Sequence, residues 1–217
     1  MNHTFYHRVG KRWLDATLAF LGLLLVSPVL IVAAIAVRLT GPGPVLFRQL
    51  RTGESGKPFR ILKFRTMVDG AKMRGPCVTA DGDPRITSVG RWLRKTKVDE
   101  LPQLINVLAG EMSLVGPRPE VPQYTAAYTE RQKRVFLAKP GVTGPAAIAY
   151  VQEEEILGNR VDRERFYVTT VLPAKLEIDL AYCENVRFLE DLKLLFLTIA
   201  RVFGVRRPLP RAAENQT

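Results

Sequence analysis

Histidine and cysteine are nearly missing from this chain, with two of each in 217 residues. Both histidines, His3 and His7, lie at the extreme N-terminus, which argues against a zinc centre or a nucleophile activated by imidazole. Cys77 and Cys183 stand far apart and follow no metal-ligand spacing. A disulfide framework is therefore not expected, and a reducing compartment fits better. Acids are scarce in the first half, where residues 1–97 carry 17 Lys and Arg against 5 Asp and Glu. Residues 98–217 are balanced at 15 against 16, so the formal net charge of +11 belongs to the N-terminal part. Such a field attracts phosphates, whether of nucleic acid, anionic lipid or nucleotides. No internal repeat or low-complexity segment is visible. The alternation of strand and helix patterns that a nucleotide-binding parallel sheet needs is also missing. The length suits one domain, or one domain with an appendage.

Charge itself is missing from one long run, the 22 residues Ala16 to Val37. At about 1.5 Å rise per residue, such a helix could just cross a hydrocarbon core about 30 Å thick. A secreted leader is the competing reading, since Arg8, Lys11 and Arg12 precede the run and Ala34-Ile35-Ala36 resembles a cleavage site. The run exceeds the roughly 7–15 residues of a leader's apolar part, so membrane retention is favoured. Ser27-Pro28 sits in its middle, where proline removes a backbone hydrogen bond. Arg8, Lys11 and Arg12 flank one side and Arg38, Arg48 and Arg51 the other. Positive flanks prefer the cytoplasm, and a span must send one of them across. A helix that enters, breaks at Ser27-Pro28 and returns keeps both inside; a kinked single span is the alternative.

Beyond the turn Gly41-Pro42-Gly43-Pro44, two short strands are predicted around Gly53–Gly56. Arg48, Arg51, Lys57, Arg60, Lys63 and Arg65 cluster there, mostly as solvated or headgroup-facing charge, with Lys63 and Arg65 as candidates for a phosphate-binding floor. Val68–Pro84 reads as an irregular loop. Its Asp81-Gly82-Asp83 could hold a metal but is better read as a turn. From Arg91 to Leu108 the spacing predicts a helix, with Leu101, Leu104, Ile105 and Leu108 on one face, Thr96 as N-cap and Pro102 in the first turn. Asp99 and Glu100 then lie near a helix N-terminus, where the macrodipole favours an ionised carboxylate; on this local pattern alone they read as ordinary first-turn acids rather than as chemistry. Residues 152–167 read as a solvated helix pair or loop. A further helix, 188–205, is apolar around most of its circumference and suits either the core or a membrane interface. The tail from Arg206 is expected to be disordered.

Several stretches in order carry a resemblance: Lys11-Arg12 with Asp15, Ser27-Pro28, FRQLRTG (47–53), GKPFRILKFRTM (56–67), DPRITSVGRWLRK (83–95), DELPQLINVLAGEMSLVGPRPE (99–120), KPGVTG (139–144) and KLEIDLAYCEN (175–185). Together they resemble the bacterial sugar transferases, small monotopic phosphoglycosyl transferases. The chain departs from the pattern at Lys97-Val98, where many members have Ser-Leu. It departs again at Pro-Ala-Ala after Gly144, where many have Trp-Gln, and it shows no multi-span N-terminal region. The resemblance implies transfer of a sugar-1-phosphate from a UDP-sugar to undecaprenyl phosphate, with release of UMP at the cytoplasmic face of the bacterial inner membrane. It implies Asp99 as nucleophile through a covalent phospho-sugar, Glu100 as a ligand of Mg²⁺, and Arg118 as the leading phosphate-binding residue, with Lys63, Arg65 and Arg94 secondary. Self-association into a homo-oligomer is left open.

The expected fold is α+β and mostly helical, a monotopic membrane protein with a re-entrant helix-break-helix and a small β hairpin. Its parts are a membrane hairpin (1–40), a catalytic core (41–150), and C-terminal helices, partly interfacial (151–217). The competing class is a membrane-anchored basic module that binds nucleic acid or anionic lipid. Nucleic-acid readers interleave aromatics with basic residues, whereas Phe47, Phe59 and Phe64 read as strand core, so no nucleic-acid partner is expected.

Overall fold

The uncharged run forms one helix, α1 (Lys11–Leu39), in a computed structural model that describes residues 6, 10–71, 79, 82–158 and 161–202. The helix is uninterrupted through Ser27-Pro28, which corrects the expected helix-break-helix. The reason is local. Pro28 has no N–H to give the Leu24 carbonyl, and Ser27 Oγ donates to that same carbonyl at 2.8 Å. With the orphan acceptor satisfied, a proline need not end the helix.

One face of α1 is covered near each end, and its middle is bare. Asp15 and Ala19 are covered at one end, Ala33 and Val37 at the other, while Leu25 between them is 81 % exposed. The start of α1 is fixed by charge. Arg12 donates to the carbonyls of Val107 and Leu108 at 2.6 and 2.8 Å, Asp15 Oδ1 accepts from the Leu114 N–H at 3.1 Å, and Lys11 pairs with Asp191. The far end is held by Arg65, which donates to the carbonyls of Val37, Gly41 and Pro42.

Strands β1 (Leu46–Thr52) and β2 (Pro58–Phe64) pair antiparallel as predicted, in the register Leu46 to Phe64 and Thr52 to Pro58. Alternation along β2 buries Phe59 and Ile61, and Phe64 closes its end. The predicted loop is irregular where it is described. Asp81 lies outside the described residues, and Asp83 is buried against Arg85 at 2.6 Å, a turn-stabilising pair beside Gly82 at φ +75°.

The single helix predicted over 91–108 is three pieces. These are α2 (Ser88–Lys95), a tight 3₁₀ turn at Val98–Glu100, and α3 (Gln103–Ala109). Thr96 caps the C-terminus of α2, its Oγ1 donating to the Trp92 carbonyl at 2.9 Å, rather than the N-terminus of a later helix. Lys97 adopts the left-handed conformation (φ 58°, ψ 14°) and turns the chain, and Pro102 precedes α3 as its N-cap. A proline without an N–H and a left-handed residue cannot both sit inside one continuous helix.

Two three-residue strands escape the sequence pattern, β3 (Ser113–Val115) and β4 (Gly141–Thr143), which pair in parallel. Glycine makes their continuation possible. A Cβ on Gly116 would lie 2.3 Å from the Lys139 oxygen, and one on Gly141 would lie 2.2 Å from the Gly116 nitrogen. The chain continues through α4 (Pro122–Thr125), a 3₁₀ segment (Gln132–Leu137), α5 (Pro145–Ala149), α6 (Glu153–Gly158) and α7 (Arg163–Phe166). A π turn (Tyr167–Val171) leads into α8 (Leu172–Glu184), and α9 (Phe188–Val202) follows. One buried cluster draws Ala19, Phe59, Val107, Met112, Tyr182 and Leu194 from early, middle and late chain. On α9, Leu194 is buried while Leu189, Phe196 and Ile199 are 74, 70 and 57 % exposed, so one face packs in the core and the other is apolar and exposed. The tail from Arg206 lies outside the described residues.

Candidate active site

The left-handed turn at Lys97 delivers Asp99 and Glu100 to the ends of two basic segments. Lys63, late in β2, donates to Glu100 Oε1 at 2.6 Å. Arg118, in the Gly116-Pro117-Arg118-Pro119 turn after β3, approaches the same oxygen through Nη2 at 3.3 Å. Arg94, from α2, is oriented by donating Nε–H to Thr66 Oγ1 at 3.0 Å, and its charge reaches Asp99.

The two carboxylates differ in state. Burial pushes Glu100 up, but the Lys63 ammonium and then the Arg118 guanidinium more than offset it and hold the carboxyl well below its usual range. Asp99 is pushed up to about 6, first by burial and then by the adjacent Glu100 charge, against Lys63, Lys97 and Arg94. Its Oδ1 is buried with no hydrogen-bond partner. An orphaned carboxylate oxygen among cations is poised to meet an electrophile or a metal ion. Burial lowers the Lys63 ammonium against the pull of Glu100.

A second layer fixes the Arg118 turn. Arg51 Nη1 donates to the Pro119 carbonyl at 3.0 Å and lies 3.5 Å from Glu120 Oε2. Buried Glu120 accepts a 2.6 Å hydrogen bond from Tyr167, and Lys175 joins them by donating to the Tyr167 hydroxyl at 3.2 Å and lying 3.6 Å from Glu120 Oε1. Lys175 also donates to Glu153 at 2.7 Å. Burial raises Glu120, but Lys175 and Arg51 overcome it and leave the carboxyl depressed. A small cavity between these layers is lined by Arg51, Lys63, Gln103 and Arg118.

Of the residues singled out from sequence, Asp99, Glu100, Lys63 and Arg118 converge, with Arg94 at the margin. Arg65 does not join them, because its guanidinium holds the carbonyls at the end of α1. Ser27 and Pro28 lie on the exposed face of α1, away from the acids. Arg51, Glu120, Glu153, Tyr167, Lys175 and Asp179 were not assigned to the site. Four of them sit inside motifs quoted above (FRQLRTG, GPRPE and KLEIDLAYCEN), which was the available signal.

The acid pair suits magnesium, which takes one or two carboxylates and completes its shell with phosphate oxygens and water. Among the described residues no group of three or more His, Cys, Asp and Glu gathers to make an all-protein cage. Asp99 Oδ1 is open to such an ion, whereas Glu100 Oε1 already serves two cations.

Paired carboxylates among cations suit phosphate chemistry, and α1 is long and apolar enough to cross a membrane. The chain belongs to the bacterial sugar transferase family, which it matches over residues 6–205. It is 41 % identical over 211 residues to an uncharacterised sugar transferase, EpsL, of Bacillus subtilis (strain 168), covering 95 % of each chain. It is 40 % identical over 200 residues to a UDP-glucose:undecaprenyl-phosphate glucose-1-phosphate transferase of Escherichia coli (strain K12), covering 91 % of this chain and 41 % of that protein. A UDP-N-acetylgalactosamine-undecaprenyl-phosphate N-acetylgalactosaminephosphotransferase of Aeromonas hydrophila is 34 % identical over 203 residues, covering 90 % and 45 %. The chain thus spans less than half the length of the latter two.

Proposed function

We propose that this protein transfers a sugar-1-phosphate from a UDP-sugar to undecaprenyl phosphate, releasing UMP. Relatives named for two different sugars support the reaction class without selecting the sugar. They lend nothing to a nucleic-acid or lipid-binding module. The observation that carries the mechanism is the buried, unpartnered Oδ1 of Asp99 beside a Glu100 held by Lys63 and Arg118. In the first half-reaction an Asp99 oxygen attacks the phosphorus that bears the sugar. The bond from that phosphorus to the bridging oxygen breaks, and UMP leaves with the bond's electrons. In the second, a phosphate oxygen of the lipid attacks the same phosphorus and frees Asp99. Arg118 and Lys63 offset the negative charge of the reactants, and Arg94 adds to the field. Magnesium, held by Asp99 and Glu100, would supply further neutralisation of phosphate charge.

The membrane arrangement follows from α1. By length and composition it can cross a bilayer. Its start is tied through Arg12 and Asp15, and its end through Arg65, to one folded body. Because one body holds both ends, we read α1 as bending at Pro28, dipping into the cytoplasmic leaflet and leaving on the same side. The exposed face of α9 would lie in the interface.

The test is isotope exchange. Enzyme, Mg²⁺ and the correct UDP-sugar, without lipid acceptor, are expected to exchange labelled UMP into the donor. Asp99→Asn is expected to abolish exchange and turnover, because an amide is not an anionic nucleophile. An active Asp99→Asn protein, or exchange that begins only when lipid phosphate is added, overturns the covalent route.

A further inference from the structure

Prolines at 117 and 119 have no N–H, so the Arg118 N–H is the one backbone donor in the Pro-Arg-Pro triplet. That donor goes to Asp179 Oδ2 at 3.2 Å. The other oxygen, Oδ1, accepts the N–H of Ala146 at 3.2 Å, in the first turn of α5. Asp179 is 3 % exposed and comes from the middle of α8. The same turn is held by its carbonyls, Pro117 accepting from the Gly141 N–H at 2.9 Å and Pro119 from Arg51 at 3.0 Å. Two prolines fix φ at the flanks, and these bonds fix the whole turn in space. The guanidinium meanwhile stays 35 % exposed and turned toward Glu100.

We propose that Asp179 is a positioning residue for phosphate binding, clamping the Arg118 backbone and the start of α5 so that the guanidinium is presented beside Glu100. The inference rests on the functional reading above. It assigns a role to a buried acid that takes no part in the proposed transfer steps. An Asn at 179 would keep one acceptor but would aim its NH₂ at the second backbone N–H, so one of the two clamps must open. A misplacement of the order of 1 Å at a binding group can cost about a hundredfold in rate.

The experiment is a double-mutant cycle on the full chain in lipid nanodiscs, with UDP plus Mg²⁺ as the probe, read by titration calorimetry. Arg118→Ala and Asp179→Asn are each expected to weaken UDP binding about tenfold, the scale of one charged hydrogen bond. The double variant is expected to bind no more weakly than Arg118→Ala alone, because Asp179 acts through Arg118. Factors that multiply in the double variant overturn the proposal and leave the functional reading intact. A wild-type protein that does not bind UDP overturns both. Thermal unfolding run in parallel separates a general loss of stability, which would appear equally in the Arg118→Ala background. Should Asp179→Asn fail to fold, Asp179→Glu, which keeps the carboxylate but changes its reach, carries the same cycle.

Discussion

Glu100 and Asp99 are neighbours with opposite circumstances, and the difference is made by side chains 37 and 18 residues from Glu100, Lys63 and Arg118. A guanidinium can grip two phosphate oxygens, whereas an ammonium acts as a point charge. Arg118→Lys is therefore expected to lower UMP release at least tenfold with an unchanged melting temperature; near wild-type turnover would remove Arg118 from the site. The Asp179 carboxyl is pushed up to about 7, mainly by burial, against the Arg118 and Ala146 N–H groups and Lys175, with Glu120 adding to the rise. The unfolded carboxyl titrates near about 3.9. The folded protein thus holds a proton that the unfolded chain has released between these values. Stability from that proton is full below about 4 and is lost as pH rises through about 7. The melting temperature of Asp179→Asn relative to wild type is expected to rise between pH 5 and 8, and a constant difference would contradict it. The acid pair and the stiff Gly-Pro-Arg-Pro turn are local features, but only the family resemblance gave Asp99, Glu100 and Arg118 their roles. Asp179 was not legible, since its partners lie 61 and 33 residues away and its motif, KLEIDLAYCEN, says nothing of what the acid bonds to.

At the scale of elements, the hairpin was readable because alternation and a Gly-bounded turn are short-range signals. The apolar helix was readable because charge is missing over residues 16–37, most of its length. Its continuity was not, because Ser27 repairs what Pro28 removes, and proline alone signals a break. In Ser27→Ala the Leu24 carbonyl would stand unpaired, a loss of about 1 kcal/mol. The melting temperature in nanodiscs should then fall by about 2–4 °C. An unchanged value would mean that the carbonyl finds another partner. The split of 91–108 into two helices was hidden because Lys97 in a left-handed turn leaves no compositional trace. Strands of three residues, such as β3 and β4, are too short for periodicity to register. Topology has its own measurement. In a background without Cys77 and Cys183, single cysteines at position 2 and at position 40 are both expected to resist an impermeant label in intact cells. Labelling of either one would mean that α1 crosses.

At the scale of the whole molecule, the anchor and the body are one unit. Buried Asp191 on α9 accepts hydrogen bonds from Tyr182 Oη at 2.6 Å and from Tyr6 Oη at 2.6 Å, and it pairs with Lys11. Asp191→Ala would leave a partly buried ammonium and two hydroxyls without their acceptor. The loss expected is about 3–5 kcal/mol, read as a lower unfolding midpoint, with the protein still retained in membranes by α1. The Lys11 to Asp191 pair also has a meaning in time. Its members are 180 residues apart, so α1 leaves the ribosome well before α9 does. On the proposed membrane arrangement, the helix would meet lipid while its inner clamp does not yet exist, and only synthesis of α9 would let the body close over it. On that arrangement, a ribosome stalled before Phe188 would hold a chain in contact with lipid but not yet locked to the body that carries the acid pair.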